Sequence, residues 1–297
     1  MKQSTSYKIS LLTASILLVS TGKGFASEAY QAESIALDPM TRSQILSTDS
    51  DEGEFSETGI SKQPKKTVGF ESVTSDNVDI YILPLGYGLP ISLLGGEEYL
   101  NLSTDLPYVS IEAPAGDETG LGDVRVGAEY FIEKNKIIFK GAVDLKFPTG
   151  DEDVGLGTGS MDLGLSLTGR MRKGDLGFNA TAGYIFRGEA DPNGIDVDYG
   201  NVINLVGGGE FQVKPALWVG ANLAYVRAGT SEFNNGIEGD GLQTVDLIPN
   251  ASYRLGDDMT VTFDIIYPLT ESVVEGDFPG SDPDREMSFS FGFNSEF

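Results

Sequence analysis

The chain has 297 residues, 40% of them hydrophobic, with 45 acidic residues against 20 basic ones and a formal net charge of −25 at pH 7. Such a surface repels nucleic acid, and the absence of cysteine excludes disulfides and thiolate metal sites. Histidine is also absent, which excludes Ser-His and Cys-His catalytic pairs, so we expect neither enzymatic activity nor a cofactor.

The first 26 residues follow the plan of a secretory signal peptide. Lys2 and Lys8 precede an apolar run over residues 9–19, and Gly24-Phe25-Ala26 offers the small residues at which a signal peptidase cleaves. A run of about 11 apolar residues is too short for a transmembrane helix, which needs about 20. We therefore expect export across the inner membrane and cleavage after Ala26.

Residues 27–66 form a second segment of different composition. Between residues 27 and 61 there are eight acidic residues, and Arg42 is the only basic one. Ser and Thr are frequent, and no hydrophobic period is sustained. This composition predicts a disordered periplasmic N-terminal arm, with a plug docked in the rest of the protein as the alternative.

From Thr67 to Phe297, apolar and polar residues alternate, which is typical of strands with two different faces. Ile137, Phe139 and Val143 alternate with Lys140 and Asp144, and the pattern recurs over residues 161–171, 178–186, 245–255 and 259–269. Each segment is long enough for a tilted strand to cross a bilayer. The fold class predicted is all-β, an antiparallel up-and-down transmembrane barrel, with a soluble sandwich or lipocalin-like barrel as the alternative.

The connections between these strands alternate between short and long. Short turns are predicted near residues 134–135, 173–174, 214–215 and 256–257, with a longer one at 89–97. Long loops are predicted at residues 110–119, 148–160, 188–199, 229–241 and 271–284, and they contain 18 acidic residues and no Lys or Arg. Outer-membrane barrels have short periplasmic turns and long extracellular loops.

With a further short connection near Ser75-Asp76, the count is twelve strands over residues 67–297, and every tight turn is expected on the periplasmic side. The weakest part of this prediction is residues 67–88. There Ile80 and Ile82 compete with Leu83 and Leu85 for the outward face, so ten strands remain an alternative.

The last strand ends the chain with aromatic residues on one face. We predict that Phe289, Phe291, Phe293 and Phe297 form an assembly signal read by the barrel-assembly machinery. Such an aromatic edge strand would promote aggregation in a soluble protein. The location predicted is the bacterial outer membrane, with membrane lipid and lipopolysaccharide as partners.

Charged residues of both signs fall on the predicted inner face. The lumen-lining candidates are Arg125, Glu129, Lys140, Asp144, Lys146, Asp162, Arg170, Arg172, Arg254 and Asp264, joined by Asp105, Asp123, Arg187, Glu210 and Asp246. A twelve-stranded barrel is wide enough for a narrow path. The same residues would also suit a salt-bridged filling that stiffens the barrel, and the pattern alone does not decide between the two.

One loop carries a weak candidate metal site. Asp191, Asn193, Asp196 and Asp198 place oxygen ligands at close intervals around a glycine turn, as Ca²⁺ and Mg²⁺ prefer. The spacing does not fit an EF-hand. The functional interpretation is a loose cation contact that bridges to lipopolysaccharide phosphates, and the alternative is charge that serves solubility.

Three glycine-rich stretches resemble a known family. They are residues 120–127 (GLGDVRVG), residues 146–152 (KFPTGDE) and residues 155–163 (GLGTGSMDL). Together they resemble the outer-membrane protein family named for the MetA pathway of phenol degradation, over roughly residues 70–297. The resemblance implies a barrel that passes small compounds, aromatic or hydrophobic ones among them. We therefore expect a passive channel, with a non-conducting structural or recognition barrel as the alternative.

Overall fold

A computed structural model describes residues 65–75, 78–92, 98–113, 116–134, 137–154, 156–191, 194, 196–233, 238–239, 241–256, 259–274 and 287–296. The predicted signal peptide and nearly all of the predicted arm lie outside these residues. None of the described residues belongs to a helix long and apolar enough to cross a membrane.

Twelve long antiparallel strands form one closed sheet. They are β1 (Lys65–Ser75), β2 (Val78–Ser92), β3 (Glu98–Ala113), β5 (Val124–Lys134), β6 (Ile137–Phe147), β7 (Asp162–Lys173), β8 (Leu176–Phe186), β11 (Val202–Lys214), β12 (Leu217–Ala228), β15 (Gly241–Arg254), β16 (Met259–Val274) and β17 (Ser288–Glu296). Each strand pairs with its neighbour in this order, and β1 pairs with β17 to close the ring. The predicted all-β barrel of twelve strands is confirmed.

The first strand pair settles the competition for the outward face. Ile80 and Ile82 on β2 are buried, whereas Leu83 and Leu85 are exposed on the outside. β2 pairs with β1 on one side and with β3 on the other, so both early strands belong to the barrel wall. The ten-stranded alternative is therefore excluded. β1 begins at Lys65, two residues before the expected boundary.

Alternation along the strands separates an apolar outside from a polar inside. On β6 and β7, Phe139 and Leu167 are 48% and 61% exposed, whereas their inward neighbours Lys140 and Thr168 are 5% and 3% exposed. The same contrast holds on β16, where Phe263 faces outward and Asp264 inward. An apolar outer band of this kind is what a barrel presents to hydrocarbon, because water would penalise so many exposed large side chains.

Several expected loops contain additional strands. In the region expected to be a loop at 110–119, β3 continues to Ala113 and β4 (Gly116–Leu121) folds back on it. The sequence Ser110-Ile111-Glu112 keeps the polar–apolar alternation of the strand, and Ile111 is buried on the inner side. The loop at 148–160 contains a single turn of 3-10 helix, Glu152–Val154.

The remaining loops also differ from expectation. A separate small sheet is formed within the long connections after β8 and β12 by β9 (Glu189–Ala190), β10 (Val197–Asp198), β13 (Ser231–Phe233) and β14 (Glu238–Gly239). The expected long turn at 89–97 is shorter, because β2 extends to Ser92. One expectation is wrong: the tight connection after Ser75 lies at the same end of the barrel as the long loops, because β1 and β2 run to and from that end.

The apolar outer band supports a direct stability prediction. Leu167 lies in the middle of β7 and is the most exposed large apolar residue described, so replacing it with lysine would place a charge near the bilayer midplane. We expect Leu167→Lys to lower the free energy of unfolding in lipid vesicles by about 2–4 kcal/mol. Urea titration followed by tryptophan fluorescence measures this, with Leu167→Phe as the matched control. Equal stability of the two variants would contradict a lipid-facing position.

Candidate functional site

The inner wall of β3, β5 and β6 carries ion pairs between neighbouring strands. Arg125 pairs with Asp105, its register partner on β3, with Nε donating to Oδ2 at 3.0 Å. Lys140 Nζ donates to Glu129 Oε1 at 3.0 Å, and Asn101 donates to the other oxygen of Glu129 at 2.9 Å. Charges of opposite sign thus neutralise each other along the wall, as buried or half-buried charges require.

Further candidates occupy the same face on other strands. Asp144, Arg170 and Arg254 are half-buried on the inner side of β6, β7 and β15, and Asp264 is buried on β16. Arg172, near the short-turn end, stacks its guanidinium 4.1 Å from the ring centre of Trp218. With Lys146 and Asp162, which are buried on the same face, all ten lumen candidates point inward, and their lining of an open passage stays a prediction.

A fully buried cluster lies where β6 and β7 reach the long-loop end. Lys146 Nζ lies 2.5 Å from Asp162 Oδ2, and both side chains are at most 1% exposed. The other carboxylate oxygen of Asp162 accepts hydrogen bonds from Ser160 Oγ at 2.8 Å and Gly188 N at 3.0 Å. Arg187 lies 4.0 Å from the same carboxylate. Asp162 therefore connects the barrel wall to two different loops.

Asp123, immediately before β5, holds the loop at 148–160. Its Oδ1 accepts from the backbone N of Thr149 at 3.1 Å and of Gly150 at 3.0 Å. Its Oδ2 accepts from Thr158 N at 2.8 Å and Thr158 Oγ1 at 3.0 Å. Four donors from both ends of one loop converge on a single buried carboxylate. Hydrogen bonds to an ionised acceptor are the strong ones, so the loop is fixed at both ends.

This loop lies on the inner side of the barrel wall. Thr158 Oγ1 is 2.5 Å from Lys146 Nζ, and Lys146 points inward. Tyr199 donates to the carbonyl of Thr158 at 3.4 Å and stacks under Arg187, whose guanidinium is 4.2 Å from its ring centre. We refer to residues 148–160 as the mouth loop, because the segment occupies part of the cross-section at the long-loop end.

An open, acidic depression of about 480 Å³ lies between the mouth loop and the small sheet. Its lining includes Glu152, Glu189, Asp191, Asp196 and Asp198. The described residues contain no group of three or more His, Cys, Asp or Glu side chains placed to hold a metal ion. Asn193 lies outside the described residues, so the loose metal site stays a prediction.

Sequence reasoning identified the charged members of this site but missed the polar ones. Thr158, Ser160 and Tyr199 complete the buried cluster, and none of them stands out by charge or by alternation. The available signal was the glycine-rich repeat around them. A Cβ at Gly157 would lie 2.5 Å from Asp123 Oδ1 and 2.8 Å from Gly150 Cα, so the two glycine stretches meet with no room for side chains.

The predicted assembly signal lies at the closure of the barrel. Phe289 and Phe291 point outward and are exposed, and Phe293 is half-buried. Phe297 lies outside the described residues. β17 pairs with both β16 and β1, so these aromatic residues belong to the strand that closes the ring. Their recognition by the assembly machinery stays a prediction.

Comparison with solved structures identifies similar barrels. The chain is similar to the COG4313 outer membrane channel from Pseudomonas putida F1, with a TM-score of 0.70 and 15% identity over 80% of this chain and 96% of that chain. The KdgM porin in complex with disordered oligogalacturonate gives a TM-score of 0.47 and 12% identity, over 78% of this chain and 99% of that chain. At 15% identity the likeness to the COG4313 channel shows the fold alone.

No curated protein matches the chain in sequence. A family model with the description "Putative MetA-pathway of phenol degradation" matches residues 68–274. This match spans more than half of the chain, from β1 to the end of β16. It includes the three glycine-rich stretches from which the resemblance was inferred. The chain therefore belongs to the MetA-pathway-of-phenol-degradation family, as its sequence motifs had indicated.

Proposed function

We propose that this protein is a passive channel for small compounds. The proposal depends on one observation: charged side chains on the inner wall are accessible to water. The paired Arg125 and Asp105 side chains point inward, yet they are 16% and 27% exposed, and Glu129 is 18% exposed. Residual exposure on the inside of a closed barrel indicates space between the walls, which a barrel of twelve strands is wide enough to contain.

The solutes that we propose include aromatic and hydrophobic compounds. The family description, which names phenol degradation, supports this class. The inner wall also supports it, because apolar groups lie among the charged ones: Tyr99 and Phe131 face each other on β3 and β5 and pack with Ile138. A wall of mixed chemistry would accept a ring that carries a polar substituent.

We further infer where the protein resides and how it arrives there. Cleavage after Ala26 would release residues 27–297 into the periplasm, with residues 27–64 as an acidic arm. The exposed aromatic face of β17 supports recognition by the barrel-assembly machinery. Insertion with short turns in the periplasm would place the acidic loops outside, where lipopolysaccharide is the neighbouring lipid.

A non-conducting barrel is the second candidate, and one observation favours it. On the wall formed by β8, β11 and β12, the inward side chains of Ile185, Val202, Asn204 and Ala224 are 0% exposed. This part of the interior is filled, as in a barrel that serves only as a structural element. The two candidates therefore differ in whether the wetter side around Arg125 is continuous across the membrane.

Planar-bilayer recording of the purified protein tests the proposal. We expect discrete conductance steps that are smaller than those of the wide porins with sixteen or more strands. Liposome swelling with aromatic acids, amino acids and sugars of similar mass would then rank the solutes, and we expect aromatic acids to enter fastest. Liposomes prepared with the same detergent but without protein are the control. Absence of both steps and swelling would favour the structural barrel.

A further inference from the structure

Polar side chains on the inner wall lie across glycines of the neighbouring strand instead of pointing at the barrel axis. Gly177 on β8 is the register partner of Glu210 on β11. A Cβ built at Gly177 would lie 2.6 Å from Glu210 Cγ and 2.9 Å from its Cδ, closer than real Cβ contacts come. The Glu210 side chain therefore occupies the space that the missing Cβ leaves.

Three other places around the ring repeat this arrangement. A Cβ at Gly127 on β5 would lie 2.6 Å from both Asp144 Oδ1 and Ser103 Oγ. The corresponding contacts are with Asn101 at Gly88 on β2, at 3.2 Å, and with the Thr262 hydroxyl at Gly292 on β17. At all four glycines these closest contacts are side-chain atoms, and the backbone is not among them.

Backbone conformation does not explain these four glycines. The described glycines with positive φ are Gly159, Gly174, Gly194 and Gly256, none of which belongs to the set. At the outward glycines Gly141, Gly169 and Gly209, no polar side chain is among the nearest contacts. A Cβ at Gly141 on β6 would meet nothing within 4 Å, and at Gly169 on β7 the nearest atom is 3.8 Å away. At the four inward glycines, the absence of a Cβ therefore makes room for a polar side chain of the neighbouring strand.

We propose that Gly88, Gly127, Gly177 and Gly292 set the bore of the channel. By accepting a polar side chain against the wall, each keeps that side chain away from the barrel axis, and Gly127 and Gly177 do so for the carboxylates of Asp144 and Glu210. A methyl group at Gly127, Gly177 or Gly292 would displace the partner into the lumen, whereas at Gly88 it would shift Asn101 by only a few tenths of an ångström. This inference rests on the proposed channel function for its effect on transport, but the side-chain placement can be tested without transport.

Gly177→Ala is the sharpest test, because Glu210 carries both bulk and charge. We expect the single-channel conductance to fall by about half and the reversal potential in a salt gradient to shift toward cation preference, because the carboxylate moves toward the axis. Glu210→Ala in the Gly177→Ala background should restore the conductance. Gly141→Ala, outward and uncrowded, is the matched control and should leave both quantities unchanged. An unchanged Gly177→Ala channel would overturn the inference.

A thiol probe separates this inference from the proposed function. Because the chain has no cysteine, Glu210→Cys introduces a single thiol whose sulfur takes the place of Cγ beside Gly177. We expect a water-soluble thiol reagent to modify it about fivefold faster when Gly177→Ala is added, since the sulfur is then displaced into water. If wild-type protein does not conduct but this acceleration occurs, channel function fails and the wall arrangement holds. Equal modification rates would reject the arrangement.

Discussion

Asp162→Ala is expected to lower the free energy of unfolding by about 3 kcal/mol, because it leaves Lys146 and Arg187 as buried cations beside the vacated position. The carboxylate lies 2.5 Å from Lys146 Nζ, and both side chains are almost fully buried. Asp123 Oδ2, 3.8 Å from Lys146, remains as partial compensation, so the loss falls at the lower end for a broken buried ion pair. Urea unfolding in lipid vesicles measures the change.

Two variants make the interpretation of Asp162→Ala specific. Lys146→Met combined with Asp162→Leu removes both charges and should recover much of the lost stability, because well-packed apolar groups often replace a buried ion pair without loss. Asp151→Ala removes an exposed carboxylate of the mouth loop and should change stability by less than about 0.5 kcal/mol. If Asp162→Ala and Asp151→Ala unfold at the same urea concentration, the buried cluster does not stabilise the fold.

Asp123→Ala is expected to release the mouth loop while the barrel stays closed. The substitution removes the acceptor of four hydrogen bonds from Thr149, Gly150 and Thr158, and each bond to a charged acceptor contributes about 1.5–3 kcal/mol. A loss of about 3 kcal/mol in the free energy of loop opening would raise the rate of cleavage after Glu152 by about 100-fold. Limited proteolysis with a glutamate-specific protease measures this rate.

The same variant should change transport if the barrel conducts. Because the mouth loop occupies part of the cross-section, its release should raise the conductance and the current noise. Asp117→Ala, on the exposed part of β4, removes a carboxylate from the same region without touching the loop and should match wild type. If Asp123→Ala is cleaved after Glu152 no faster than wild type, Asp123 does not hold the loop.

The strands could be predicted from sequence because each lies between two different solvents. Alternation of residues such as Phe139 and Lys140 records that difference locally, residue by residue. Prediction was weakest where both faces are apolar, as at Ile80 and Leu83, and there the closed ring decides the orientation.

The candidate site was only partly predictable for a related reason. The inward direction of Lys146 and Asp162 follows from alternation within their strands, whereas the hydrogen bonds of Asp123 join positions 26 to 35 residues apart through an irregular loop. No local period encodes such a contact. The additional strands in the long loops were missed because acidic and glycine-rich segments are typical of loops, although β4 pairs with β3 over six residues.

Pairing of β1 with β17 makes the earliest and latest parts of the wall mutual neighbours, with Lys65 opposite Glu296. The hairpin of β1 and β2 therefore keeps the outer edge of β1 unpaired until β17 is available. A chain truncated before β17 would leave β1 and β16 as unpaired edge strands, which promote aggregation. We therefore expect a chain truncated before β17 to aggregate or be degraded, because it cannot close the ring.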